Sequence, residues 1–268
     1  MLSKALKNSV KIRISKINPE FLQRSLGDEE YVNLLNKSDI SIVDGRGVLW
    51  AARYLTLPIS SNGAIRRLQA VWQMVYSGAA IVFNPKFVAY PIPEAIPGLE
   101  AFRAVIEVAI KNKVGVFLFG ANPKSNKLAV KNLKKEFPDL IISGSLNGYD
   151  FQKDNGINVV GEINKTDARV LIVALGSPKQ ERWIDDNIDN LKSIKIAVGE
   201  GGTLDRIAYP AQKAPKFVNK IGLEWLWRLA FNKSRTESRN RFGRFWNSVP
   251  LFIHEIVKWK VKNGQTKA

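Results

Sequence analysis

The sequence contains no cysteine, which excludes a disulfide framework, a thiol nucleophile and any cysteine metal site. Histidine is almost as scarce. His254 is the only one, late in the chain among apolar residues, where a structural role is expected. Histidine-based triads and multi-histidine metal centres are thereby excluded as classes. No apolar run approaches the roughly 18 residues that a membrane-spanning helix needs. The segment Met1 to Val10 is basic, yet it lacks the continuous apolar core and small-residue cleavage site of a secretory signal, so a cytoplasmic protein is expected. Acidic residues are in deficit, 24 against 41 basic ones, and the net charge is +17. That imbalance points to an anionic partner: nucleic acid, anionic lipid or a phosphorylated substrate.

What is present is enough for one sizeable core with a smaller appended element, since 45% of the 268 residues are hydrophobic. Short apolar runs end at glycine turns and are followed by helical patterns. Ile40 to Val43 reads as a strand ending at Asp44-Gly45, with a helix over Val48 to Leu55. Val114 to Phe119 reads as a strand ending at Gly120-Ala121-Asn122-Pro123, with a helix from Ser125 to Phe137. Further strands are expected at Leu140 to Ile142 before Gly148-Tyr149, at Val170 to Ala174, and at Ile194 to Val198 before Gly199-Glu200-Gly201-Gly202. This alternation predicts an α/β fold with a Rossmann-like, largely parallel sheet. Two segments break the rhythm. Residues from about 60 to 90 read as an insertion, with a helix over Ala64 to Tyr76 and a short strand-like run from Ala79 to Phe83. Residues 211–268 read as a basic, Trp-rich helical C-terminal appendage to a core of residues 1–210; it holds Trp225, Trp227, Trp246 and Trp259.

The most informative stretch runs from Leu171 to Trp183. A buried strand turns at Gly176-Ser177-Pro178-Lys179-Gln180-Glu181 into a helix with proline near its first position. Ligands of open α/β sheets bind at such strand ends. Lys179 offers a positive charge, Gln180 an amide fork and Glu181 a carboxylate, a set suited to a polar, phosphorylated substrate. A turn of this composition can also do no more than cap a helix.

This string resembles the Gly-x-Pro-Lys-Gln-Glu signature of the WecG/TagA/CpsF family of bacterial glycosyltransferases. Other blocks resemble the family in the same order: Asn18-Pro19-Glu20, Val43 to Val48, Phe119-Gly120, Gly148-Tyr149, Val198-Gly199, Lys213-Ala214-Pro215 and Gly222 to Leu229. The resemblance covers roughly residues 16 to 242. Lys16 stands where the family usually has threonine, and Ala95 to Glu100 replaces an Arg-Val-x-Gly-x-Asp segment. Such enzymes move a sugar from a UDP-sugar to a lipid-linked acceptor. The resemblance therefore implies a hexosyltransferase, acting with N-acetylmannosamine or a related sugar on a polyprenyl-diphosphate-linked saccharide, with no cofactor.

Inverting transfer needs a base for the acceptor hydroxyl and stabilisation of the departing diphosphate. Asp44, at a strand end beside glycine, is the candidate base, in agreement with the resemblance; an Asp-Gly turn residue is the plainer reading. No Asp-x-Asp motif flanked by strand signals is present, so a metal-independent mechanism is expected, with Arg228, Arg235 and Arg239 clamping the diphosphate. Asn18, Gly120, Asn122, Gly148, Tyr149, Gly176, Pro178, Lys179, Gln180, Glu181, Gly199 and Asp205 are the candidate substrate-binding positions. Phe217, Ile221, Trp225, Leu226 and Leu229 form an apolar stripe among basic residues, which suits an anionic membrane surface. Lys258, Lys260 and Lys262 read as a solvated charge run. Nucleic acid is not an expected partner, and a homo-oligomer is allowed. Two other classes stay open on the sequence: a catalytically degenerate UDP-binding scaffold, and a basic nucleic-acid-binding protein.

Overall fold

A computed structural model describes residues 2–7, 10–149, 158–210 and 235–264, the side chains of residues 235–248 excepted. In chain order the described elements are α1 (Leu2–Lys7), β1 (Ile12–Ile17), α2 (Pro19–Ser25), α3 (Glu29–Asn36), β2 (Ile40–Val43), α4 (Arg46–Thr56), α5 (Gly63–Phe83) and α6 (Pro85–Val88). They continue as α7 (Gly98–Lys111), β3 (Val116–Gly120), α8 (Pro123–Glu136), β4 (Ile142–Leu146), α9 (Val159–Asn164) and β5 (Val170–Ala174). The last are α10 (Lys179–Asn187), a 3-10 turn (Ile188–Asn190), β6 (Ile196–Gly199), α11 (Thr203–Ala208) and α12 (Arg235–Asn263). Contacts divide the chain into two units, each discontinuous in sequence. One comprises Met1–Lys16, Glu29–Ile42 and Pro97–Pro210; the other comprises Ile17–Asp28, Val43–Ile96 and Ala211–Ala268.

The first unit carries the six-stranded parallel sheet, in the order β2-β1-β6-β5-β3-β4. The fold class expected from the sequence is therefore the one formed. β3 and β5 run in register from Val116 opposite Val170 to Gly120 opposite Ala174. Their alternating side chains enter two different cores. Val116, Leu118, Val170, Ile172, Ile196 and Val198 join residues of α1, α7, α8 and α11. Phe117, Phe119, Leu171, Val173 and Ala197 join α9 and α10 through Ile163, Trp183 and Ile184. Strands covered on both faces must be apolar at every position, which is why these read as unbroken hydrophobic runs.

The layering creates a divergence. After β3 the chain enters α8 on one face and continues outward to β4. After β5 it enters α10 on the other face and continues the opposite way to β6. The carboxyl ends of β3 and β5 are therefore the topological switch point, the position at which open α/β sheets form their ligand crevice.

In the second unit, α4 buries Val48, Leu49, Trp50, Ala51 and Tyr54. Trp50 stacks on Tyr54 at 5.2 Å between ring centroids and donates from Nε1 to Ser77 Oγ at 2.9 Å. Phe252 and Ile256 of α12 complete this small core. α5 offers it Ala70, Ser77 and Ala80, small side chains that let the helix approach closely.

The strand-like run expected at Ala79 to Phe83 is helix. Asn62 accepts from Ala64 N and Ile65 N at the start of α5, and helix continues to Asn84, where Pro85 forces a break. The buried spacing of Ala70, Ser77 and Ala80 has helical period, which the β-branched and aromatic character of Ile81-Val82-Phe83 obscures. Smaller shifts occur elsewhere: the strand expected at Leu140 to Ile142 forms over Ile142–Leu146, and that at Ile194 to Val198 over Ile196–Gly199. β1, central between β2 and β6, is not signalled by a glycine turn at its end and has no counterpart among the expected strands.

Candidate functional site

The switch point is built from backbone. Ala121 N donates to Ala174 O and Gly148 N to Ala121 O, both at 2.8 Å, so the loops after β3, β4 and β5 are stitched together. Gly120 has φ +118°, and a Cβ there would stand 2.4 Å from Ala174 O; only glycine permits this approach. Asn126, buried in α8, donates from Nδ2 to Gly120 O at 3.0 Å and Leu146 O at 3.1 Å, tying the ends of β3 and β4. Asn122 caps α8, accepting from Ser125 N at 2.9 Å and donating to Ser125 Oγ at 2.7 Å. Tyr149 is exposed, its backbone N–H held by Asn147 Oδ1 at 3.0 Å. Gly120, Asn122 and Gly148 are thus brought to one place at the switch point, with Asn122 committed to helix capping, while Tyr149 and Gly176 sit on the loops that lead from it.

The signature turn divides its polar groups. Pro178 is the residue before α10, and Lys179 on its first position is exposed. Gln180 and Glu181, however, are only 2% and 5% exposed. Gln180 Oε1 accepts from Gly201 N at 2.7 Å, and its Nε2 donates to Glu181 Oε1 at 2.7 Å. This pair clamps the turn after β6. A Cβ on Gly199 would lie 2.9 Å from Gln180 Nε2 and 3.0 Å from Glu181 Oε1, so a side chain there would displace the clamp. The Tyr31 hydroxyl shares a 2.6 Å hydrogen bond with Ser177 Oγ, and Tyr31 itself is fully buried. Of the three groups read as ligand-facing, Lys179 alone is exposed; the two beside it orient loops.

Next to this clamp lies a buried ion pair absent from the candidate positions. Lys16 at the end of β1 bonds Gly98 O at 2.8 Å and pairs with Glu200 Oε2. Burial pushes the Glu200 carboxyl up from its ordinary value, opposed by the Lys16 ammonium and the Thr203 hydroxyl. The pair joins β1, the start of α7 and the β6 turn. Asp205 follows one turn later in α11, half-buried, its carbonyl accepting from Tyr209 N at 2.9 Å. Sequence reading missed Lys16–Glu200 because a lone lysine and a lone glutamate, 184 residues apart, carry no local pattern.

In the second unit, Asn18 Oδ1 accepts from Phe21 N at 3.1 Å and caps α2. Asp44 is half-buried at the end of β2, its N–H donating to Ile17 O at 2.8 Å. Beyond its two chain neighbours, nothing lies within 4 Å of where a Cβ would stand on the following Gly45. Arg228 and the stripe from Phe217 to Leu229 lie outside the described residues, as do Lys213-Ala214-Pro215 and Gly222 to Leu229. Arg235 and Arg239 fall in the first turns of α12, where only the backbone is described. Among the described residues no group of three or more His, Asp or Glu side chains comes together. No helix among them is long and apolar enough to cross a membrane.

Residues 61–266 match the model of the glycosyl transferase WecG/TagA/CpsF family. The chain belongs to this family. Among similar proteins is the N-acetylglucosaminyldiphosphoundecaprenol N-acetyl-beta-D-mannosaminyltransferase of Bacillus subtilis (strain 168). It is 28% identical over 253 residues, spanning 94% of this chain and 81% of that protein. The protein of the same name from Staphylococcus aureus (strain MRSA252) is 25% identical over 250 residues, spanning 93% of this chain and 81% of its own length. In this WecG/TagA/CpsF member, the family's string is embodied as one exposed cation and two buried loop-setters. Hydrogen-bonding capacity alone could not separate them; the helical period could, since Gln180, Glu181, Trp183 and Ile184 share one buried face of α10.

Proposed function

We propose that this chain transfers a hexosyl group, N-acetylmannosamine or a close relative, from UDP to a polyprenyl-diphosphate-linked saccharide. The product would serve a surface polysaccharide or a wall polymer. The family supplies the reaction class, and the names of the two relatives supply the sugar and the acceptor. The observation that carries the donor half is the convergence of Gly120, Ala121 and Gly148 on the end of β5 at the switch point. Backbone groups and small residues at that position suit a nucleotide, whose planar base and phosphates need close approach more than side-chain bulk. Lys179, exposed at the start of α10, supplies a charge for the diphosphate, in line with a helix N-terminus.

The Asp44 carboxylate takes the proton of the acceptor hydroxyl as that oxygen bonds to the anomeric carbon. The carbon–oxygen bond to the diphosphate breaks, its electron pair leaves with UDP, and the configuration inverts. Arg228, Arg235 and Arg239 are assigned to the leaving diphosphate, since guanidinium forks match phosphate oxygens in the absence of an Asp-x-Asp motif. Peripheral association with the inner face of the cell membrane follows from an acceptor anchored in lipid.

The test is transfer from UDP-N-acetylmannosamine to a lipid-diphosphate-linked N-acetylglucosamine in EDTA. Wild type is expected to turn over. Asp44→Asn is expected to lose at least about a thousandfold in kcat while keeping its affinity for UDP. Undiminished turnover by Asp44→Asn removes Asp44 from the base role.

A further inference from the structure

One face of α5 has no partner among the described residues. Ile65, Leu68, Val71, Trp72, Val75, Val82 and Phe83 are all exposed, Leu68 at 74%, Trp72 at 67% and Phe83 at 85%. With exposed Ala79 they follow three-four spacing along the helix, so they form one stripe on the side opposite Ala70, Ser77 and Ala80. At 1.5 Å per residue, the stripe from Ile65 to Phe83 is about 27 Å long. An apolar strip of this extent on a charged protein marks an interaction surface.

Its surroundings select the occupant. Between Asp44 and Glu94 the sequence has no acidic residue, while Arg46, Arg53, Arg66, Arg67 and Lys86 are basic. Arg67 near one end of the stripe and Lys86 just beyond the other are exposed. Aromatic rings gather along the same edge. Trp72 lies 6.2 Å from Tyr76, Tyr76 5.8 Å from Phe87, and Arg53 stands over Phe87 at 4.4 Å and Tyr90 at 5.5 Å. Apolar residues for the acyl boundary, amphipathic rings at the headgroup level and cations in a stretch of chain that carries no acidic residue are complementary to an anionic bilayer surface. α5 is not apolar enough to cross a membrane, and its other face is already committed to Trp50 and Tyr54.

We propose that α5 docks this protein on anionic lipid, lying in the plane of the bilayer with the Leu68–Trp72–Val75 stripe inserted among the acyl chains. The inference stands on the stripe and does not require the transferase reading. It also places the lipid contact on a different segment from the C-terminal stripe around Trp225.

Co-sedimentation of the full chain with phosphatidylglycerol-rich and pure phosphatidylcholine vesicles tests it. Leu68→Gln, Trp72→Gln and Val75→Gln are made together; all three positions are exposed and glutamine keeps helix propensity, so melting temperature and circular dichroism should match wild type. Wild type is expected to prefer phosphatidylglycerol, and the triple variant to lose about a hundredfold in partitioning. Its stabilisation by UDP is expected to equal that of wild type. A triple variant that binds vesicles like wild type overturns the proposal. So does a wild type that ignores vesicles and is a dimer which the triple variant dissolves, because the stripe would then belong to a second copy. Vesicle binding that follows the stripe in a protein unresponsive to UDP would sustain the docking and sink the nucleotide reading.

Discussion

Lys260 shows how far a single side chain can depart from its sequence setting. Between Lys258 and Lys262 it reads as one of a solvated run, yet it is 0% exposed while Lys258 and Lys262 face solvent. Its Nζ bonds Tyr54 O and stands 4.2 Å over the Tyr54 ring, whose own hydroxyl donates to Ala70 O at 3.1 Å. The spacing i, i+2, i+4 puts Lys258 and Lys262 on one side of the helix and Lys260 on the other, where it meets the core of the second unit. Burial lowers the Lys260 pKa from 10.5 to about 8. An ammonium depressed in the fold is carried by the unfolded chain over a wider pH range. Between pH 8 and 10.5 the unfolded state therefore binds more protons, and stability rises with pH across that window. Below it, the cost of burying the charge is present in full. Lys260→Met should be more stable than wild type at neutral pH, with the gap closing as pH rises towards 10.5. Melting temperatures measured across that range check this, and parallel profiles would count against it.

At the scale of elements, the junction between α10 and the β6–α11 turn depends on one amide. Gln180 is satisfied at both ends, by Gly201 N and by Glu181. Gln180→Ala leaves the half-buried Gly201 N–H without its acceptor, at a cost of about 1 kcal/mol. Denaturant unfolding should show that loss, accompanied by weaker UDP binding because the turn beside the crevice is no longer fixed. A variant that unfolds earlier yet binds UDP as tightly as wild type would separate the clamp from the site. Much of this architecture is legible in the chain. The runs Val116 to Phe119 and Val170 to Ala174 cannot be surface strands, and the glycines at their ends announce turns. What escapes is what lacks a local pattern. β1 carries Arg13, Ser15 and Lys16 within its span, so its place beside β6 is set by tertiary partners such as Glu200 and Asp185. The end of α5 escapes for the opposite reason, because Ile81-Val82-Phe83 favours a strand locally and the cap at Asn62 and the break at Pro85 decide. Within the candidate site, the crevice glycines were legible as strand ends, while the division of labour between Lys179 and Gln180 needed the burial of α10.

The whole molecule combines a parallel sheet in one unit with helices of another assembled from three stretches of chain. Its charge of +17 is uneven: the described sheet unit pairs several of its cations, as in Arg13 with Asp185 and Arg103 with Glu136, whereas residues 45–93 have no anion to offer. Membership of the WecG/TagA/CpsF family fixes the reaction class. The central claim is that the crevice at the ends of β3 and β5 is a uridine nucleotide seat. The most direct measurement is thermal stabilisation by UDP against ADP and GDP, in EDTA and at several salt concentrations. A site saturated a hundredfold above Kd adds about 2.7 kcal/mol. A rise of several degrees with UDP alone, persisting at high salt, is the expected result. An equal response to all three nucleotides that vanishes with salt would contradict it, reducing the crevice to general polyanion attraction.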